Sequence, residues 1–117
     1  PYEVEVNGRQ LTTKNIVLAT GARPLLPKIP GLPDVPHYTS DTLWTLREKP
    51  EHLLVLGGGS IGCELAQAFA MIGVKVTLIE KGPRIFARED QDVALMMQER
   101  FQKDGIRILT QSSVKSF

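Results

Sequence analysis

The chain divides by the rhythm of its apolar and polar positions. Tyr2 to Val6, reading YEVEV, alternates strictly, the period-two signature of a half-buried strand. Asn7-Gly8 follows, a pair that tolerates the positive φ of a type I′ turn, and RQLTTKN continues as a return strand with a short connection. From Asn15 to Thr20, NIVLAT is apolar and β-branched without alternation, as expected of a strand covered on both faces, and Gly21 ends it. The second half has a different rhythm. Residues 52–57 predict a strand, 60–72 a helix and 74–80 a strand. Asp90 or Gln91 through Lys103 predicts a second helix, stopped by Gly105, and 106–110 a third strand. Val93, Met96, Met97, Arg100 and Phe101 recur at helical spacing, and both methionines read as packing residues. The order β-α-β-α-β implies a parallel sheet. The expected fold class is α/β: a Rossmann-like parallel sheet with flanking helices, plus an N-terminal β-meander.

Between the two halves, Pro24, Pro27, Pro30, Pro33 and Pro36 recur at every third position. Proline fixes φ and removes a donor, so residues 23–40 read as an extended connector. Ser40 or Asp41 is placed to cap a short helix through Arg47, with Leu43, Trp44 and Leu46 as packing residues, and Pro50 closes it.

Composition narrows the function classes. A chain of 117 residues supports one small domain with a core. Its net charge is +1 with both signs spread along it, which argues against nucleic acid as a partner. No apolar run approaches the roughly 18 residues of a membrane span. The first residues lack the basic-then-apolar pattern of a signal peptide, so the expected location is cytoplasmic. Cys63 is the single cysteine. It forms no internal disulfide, CxxC pair or cysteine-rich zinc site, and no metal is expected. It reads as a small buried hydrophobe. His37 and His52 have no acid or cysteine grouped around them and read as structural or surface residues.

The chemistry lies in LLVLGGGSIGCELAQAF, Leu53 to Phe69. Gly57-Gly58-Gly59-Ser60-Ile61-Gly62 satisfies GxGxxG directly after a predicted strand and at the start of a predicted helix, the context the motif requires. Gly57 allows the tight turn, Gly59 lets a diphosphate approach the backbone, and Gly62 lets helix and strand pack closely. The helix N-terminus adds free N–H groups and a partial positive charge. Glu80 ends the next strand, 18 residues after Gly62, placed to accept hydrogen bonds from a ribose hydroxyl. A 2′-phosphate there would meet a like charge, at roughly 4 kcal/mol per unit pair for about 4 Å and an effective dielectric near 20. Lys81 and Arg84 are close enough in sequence to offset part of that cost. NAD is therefore favoured over NADP, while NAD and FAD remain equally compatible with the glycines and the acid.

The residues upstream separate those two. NIVLATGARPLLPKIPGLP followed by GGGSIGCELA resembles the two-dinucleotide flavoprotein disulfide reductases, among them dihydrolipoamide dehydrogenase, mercuric reductase and glutathione reductase. In that family an FAD domain ends in a strand with an ATG motif, here Ala19-Thr20-Gly21. A proline-rich crossover follows, and then a second glycine motif for the nicotinamide nucleotide. The resemblance implies an end of an FAD domain over 1–22, a connector over 23–40 and an NAD-binding Rossmann domain over 41–117. By position, Thr20, Gly21 and Ala22 would touch FAD in the intact enzyme. Gly57, Gly58, Gly59, Ser60, Ile61, Gly62 and Glu64 would line the NAD, with Glu80 and Lys81 at its ribose and Val114 on its adenine side. Glu64 matches an acid that in relatives lies near nicotinamide and flavin. PRIFAREDQDV is closer to the dihydrolipoamide dehydrogenase and mercuric reductase branches, and Ser60 stands where some relatives carry a gating tyrosine.

The resemblance also says what to expect of the chain as a unit. Family chemistry passes hydride from NAD(P)H to flavin and then electrons to a paired-cysteine disulfide, in a homodimer joined through a further domain. This chain holds neither the cysteine pair nor that domain. It is expected to be the NADH-binding portion of such an oxidoreductase, with no catalytic residue of its own and no activity alone. A non-catalytic dinucleotide-binding or interaction module, or the FAD domain of another flavoprotein, are the alternatives. Residues 2–20 also match the meander and last parallel strand of the family's nicotinamide domain. They are expected to complete the sheet beside residues 52–57, in cis or swapped between copies, because an exposed strand edge is costly.

Overall fold

The computed structural model describes every residue, Pro1–Phe117. The alternating N-terminal segment forms β1 (Tyr2–Val6) and β2 (Arg9–Thr13), paired antiparallel from Tyr2↔Thr13 to Val6↔Arg9. Asn7 and Gly8 turn the chain at φ 52° and 75°, both in the left-handed region that a two-residue hairpin demands. After the connector come β3 (His52–Leu56), α1 (Ser60–Met71), β4 (Lys75–Ile79), α2 (Gln91–Lys103) and β5 (Arg107–Leu109). The three strands form one parallel sheet in the order β3-β4-β5, in register His52↔Lys75 and Thr77↔Arg107.

The core follows from that order. Central β4 is covered on both faces, so Val76, Thr77 and Leu78 are buried in succession. Around them pack Cys63 and Ala66 of α1, Phe101 of α2, and Val74, Ile85 and Ile106 from the flanking turns. The Phe101 ring meets Phe86 with centroids 6.1 Å apart and planes tilted by 58°. Thr77 is the polar side chain in this core, and its hydroxyl is paired with His52 Nε2 at 2.9 Å, which gives the exposed His52 its structural role. Gly105, at φ 83°, ends α2 as its position in the sequence predicts.

Several expectations fail, the first two because a strand lacks a partner. Asn15–Thr20 forms no strand, and Val17 and Leu18 are 88% and 84% exposed. β3 pairs only with β4, so residues 2–20 do not complete the sheet within the chain; β1 and β2 form a separate ribbon. An apolar run becomes a strand only when a neighbour accepts its backbone hydrogen bonds. The helix expected over 41–47 shrinks to one 3₁₀ turn, Leu43–Thr45, followed by Leu46 in extended conformation. Leu43 is buried there, but Trp44 is 70% exposed and donates its indole N–H to Ser40 O at 2.7 Å, so it is no packing anchor. On α2, Ala94 and Phe101 carry the burial while Met96 is 61% exposed, leaving Met97 as the methionine that packs. The connector has no regular structure except for a 3₁₀ turn at Leu32–Asp34, entered through Gly31 at φ 82°. With β1 and β2 in a ribbon apart from the three-stranded sheet, the radius of gyration is 19.2 Å, against about 13 Å for a compact chain of this length. No helix is long and apolar enough to cross a membrane.

Candidate functional site

The glycine turn sits where β3 ends, and the neighbouring strand holds it. Gly57, at φ 106°, donates its N–H to Ile79 O at 2.8 Å, extending the β3–β4 ladder by one residue before the chain swings into α1. Gly58 is buried and fully engaged. Its N–H donates to Glu80 Oε2 at 2.6 Å, and its carbonyl accepts from Phe86 N–H at 2.7 Å and from the Cys63 thiol at 3.4 Å. A Cβ here would lie 2.8 Å from Ile85 Cγ2, so only glycine fits. Gly58 is thus a strut under the turn.

The next residues differ. Gly59 is the N-cap of α1 in extended conformation and offers no side-chain cap. The first helical bond is Cys63 N–H to Gly59 O, at 2.9 Å. The amides of Gly59, Ser60, Ile61 and Gly62 therefore donate to no protein acceptor, the four orphan donors of a helix start. A Cβ on Gly59 would meet nothing within 4 Å, so the space beside these amides is open. Gly62 is the opposite case. A Cβ there would collide with Gly57 O, which is how α1 and the end of β3 come so close. Donors, open space and helix dipole together fit an anion with several oxygens, and a pyrophosphate is one.

Glu80 follows β4 and faces the turn. Its Oε2 accepts from Gly58 N–H and its Oε1 from Gly82 N–H. An ionised carboxylate has about four acceptor sites, so two backbone donors leave room for ribose hydroxyls. The chain beyond β5 is tied in as well: Gln111 N–H reaches Gly82 O at 2.9 Å and Ser112 N–H reaches Glu80 O at 3.0 Å, leading to the half-buried Val114. Lys81 and Glu64 are exposed and unpaired. Arg84 is not free to offset charge at Glu80, because its guanidinium is bonded to carbonyls of its own loop. Thr20, Gly21 and Ala22 lie in exposed irregular chain outside the residues that line the turn. A cleft of about 810 Å³ runs from Gly57–Gly62 along the open edge of β3 to the connector, floored by Leu53–Leu56.

Cys63 is fully buried beneath the turn, and burial is the main force pushing its thiol up from 9.0 to about 11. It is a protonated packing residue, as its lone position predicts. Ile85 and Phe86 are the residues of the site that motif reading passes over, and Arg84 was singled out there for a different role. The short apolar run Ile85-Phe86-Ala87 between Arg84 and Arg88 was the signal available.

The family model described as pyridine nucleotide-disulphide oxidoreductase matches residues 2–117. Mercuric reductase of Staphylococcus aureus is 36% identical over 107 residues, covering 92% of this chain and 20% of the relative. Dihydrolipoyl dehydrogenase of Acholeplasma laidlawii is 38% identical over 117 residues, covering 97% of this chain and 35% of the relative. Among solved structures, the HOCl-induced flavoprotein disulfide reductase RclA from Escherichia coli superposes with a TM-score of 0.79 at 36% identity, covering 97% of this chain and 27% of that one. The chain spans between 20% and 35% of the length of these relatives.

Proposed function

Because the chain belongs to the pyridine nucleotide-disulphide oxidoreductase family, we propose that its glycine turn binds NADH and presents it to FAD in the intact oxidoreductase. The observation that carries this reading is the run of four consecutive unpartnered amides, Gly59 to Gly62, beside open space at a helix start. These amides hold the pyrophosphate. Glu80, already oriented by Gly58 and Gly82, accepts from the adenosine ribose, with Lys81 beside it and Val114 toward the adenine. Ser60, Ile61 and Glu64 line the nicotinamide end, and Thr20, Gly21 and Ala22 face the FAD. NADH, when bound, supplies the hydride; the chain's own residues bind and orient it.

The preference for NADH over NADPH is supported by the Glu80 carboxylate at the ribose position and by the engagement of Arg84 elsewhere. Thermal shift and calorimetry with NADH, NADPH and FAD test the reading. Stabilisation by NADH, with weaker or no response to NADPH, is expected. A response to FAD alone overturns it.

A further inference from the structure

Arg84 lies four residues past Glu80, where a cation would naturally meet a ribose phosphate. Instead its donors turn back on the chain. Nη1 donates to Phe86 O at 3.3 Å and Glu89 O at 3.0 Å, and Nη2 to Ala87 O at 3.2 Å and Glu89 O at 3.0 Å. A planar guanidinium can bridge three carbonyls at once; the single ammonium of a lysine cannot match that fork. The loop so held has no regular structure and one backbone bond of its own, Glu89 N–H to Phe86 O at 2.9 Å.

What the loop carries matters for the site. Ile85 is fully buried and packs under Gly58, and Phe86 donates its N–H to Gly58 O. Phe86 does so at φ 50°, a conformation sparsely allowed to a bulky side chain. Such backbone persists only where its surroundings hold it. Glu80 anchors the N–H of Gly58, and the Arg84 loop anchors its carbonyl.

We infer that Arg84 is a positioning residue of the dinucleotide site: by locking its loop onto Gly58, it keeps the turn's free amides aimed at the ligand and Glu80 fixed at the ribose. The inference rests on the NADH reading above. It makes a specific statement about selectivity. If the loop loosens, the Phe86 bond to Gly58 O slackens, and the Gly58 N–H no longer holds the Glu80 carboxylate steady. NADH then loses an oriented ribose acceptor, whereas NADPH loses an oriented repulsion.

The test is calorimetric titration of NADH and NADPH into the chain and its Arg84→Ala variant, with thermal melts of both. Arg84→Ala is expected to raise the Kd for NADH about tenfold, close to 1.4 kcal/mol. NADPH should lose less, so that the preference narrows, and added guanidinium, but not ammonium, should restore NADH binding. Equal losses for both nucleotides, unmoved by guanidinium, are what a merely structural residue gives and would overturn the inference. An unchanged Kd for NADH overturns it too. If Arg84→Ala does not fold, Arg84→Lys takes its place, with the same narrowing expected and an undiminished preference counting against it. A wild-type chain that binds neither nucleotide removes the NADH reading and this inference together; binding by wild type with an indifferent variant removes the inference alone.

Discussion

Gly62→Ala and Gly59→Ala insert the same methyl group three residues apart, and the structure assigns them opposite consequences. At Gly62 the new Cβ runs into Gly57 O, a backbone atom of the peptide whose N–H, that of Gly58, is held by Glu80 Oε2. No side chain can swing aside, so α1 must move off β3 by on the order of 1 Å to restore an ordinary C···O approach of about 3.3 Å. Overpacking of this kind costs about 1–3 kcal/mol, and a rigid backbone neighbour puts it toward the upper end. Alanine returns about 1 kcal/mol in helix propensity. A net loss of about 1–2 kcal/mol remains, or roughly 4–8 °C in Tm at an unfolding entropy of about 2.1 cal/mol/K per residue. Gly59→Ala meets nothing within 4 Å, so the fold should melt as wild type. Its methyl instead occupies the space beside the free amides, and NADH binding should fall by tenfold or more, about 1.4 kcal/mol. Differential scanning fluorimetry with and without NADH measures both effects. A Gly62→Ala variant that melts at or above wild type refutes the close-packing account. A Gly59→Ala variant with wild-type affinity refutes the placement of the ligand.

Three further outcomes follow from other parts of the site and core. Glu80→Ala strips the acceptor from the Gly58 and Gly82 amides, which should cost about 1–3 kcal/mol of stability, and should weaken NADH relative to NADPH; an unchanged affinity ratio by titration would remove Glu80 from the ribose. Cys63 should resist thiol reagents at pH 8 until denaturant is added, as a colorimetric thiol assay reads directly. Because its folded pKa, about 11, lies above the ordinary 9.0, the unfolded chain loses the proton first, so stability is intact below pH 9 and falls as pH rises toward 11, by about 3 kcal/mol in total; a Cys63→Ala variant should lack that alkaline slope. Phe101→Ala removes the largest fully buried side chain and should cost about 3–5 kcal/mol in urea denaturation, together with its ring contact to Phe86.

The βαβαβ half was legible because each of its elements announces itself locally. The apolar run of β3, the glycine start of α1 and the Gly105 stop of α2 are properties of neighbouring residues, and the observed bounds fall within a residue or two of those expected. Glu80 was legible for the same reason, as an acid at a counted distance from Gly62. Asn15–Thr20 has equal strand propensity but depends on a distant partner, and composition cannot say whether one is present. Trp44 was misread because its size suggests burial, while a one-turn 3₁₀ segment has too little surface to cover it. The Arg84 lock was invisible because its acceptors are backbone carbonyls, which every residue possesses. The inward role of Gly58 was hidden likewise: the motif names the glycine, but only the structure shows that its peptide belongs to Glu80 and Phe86.

The free amides of the turn make the site unusually tolerant of drift in its own side chains. At Ser60 and Ile61 the donor is the backbone, so most replacements there would leave the donors in place while reshaping what surrounds them. Proline is the exception. Ser60 is the first residue of α1, a position where proline is welcome to a helix, so Ser60→Pro would keep the fold yet delete one of the four donors. A folded protein with a silent loss of ligand contact is the kind of lesion that stability screens overlook.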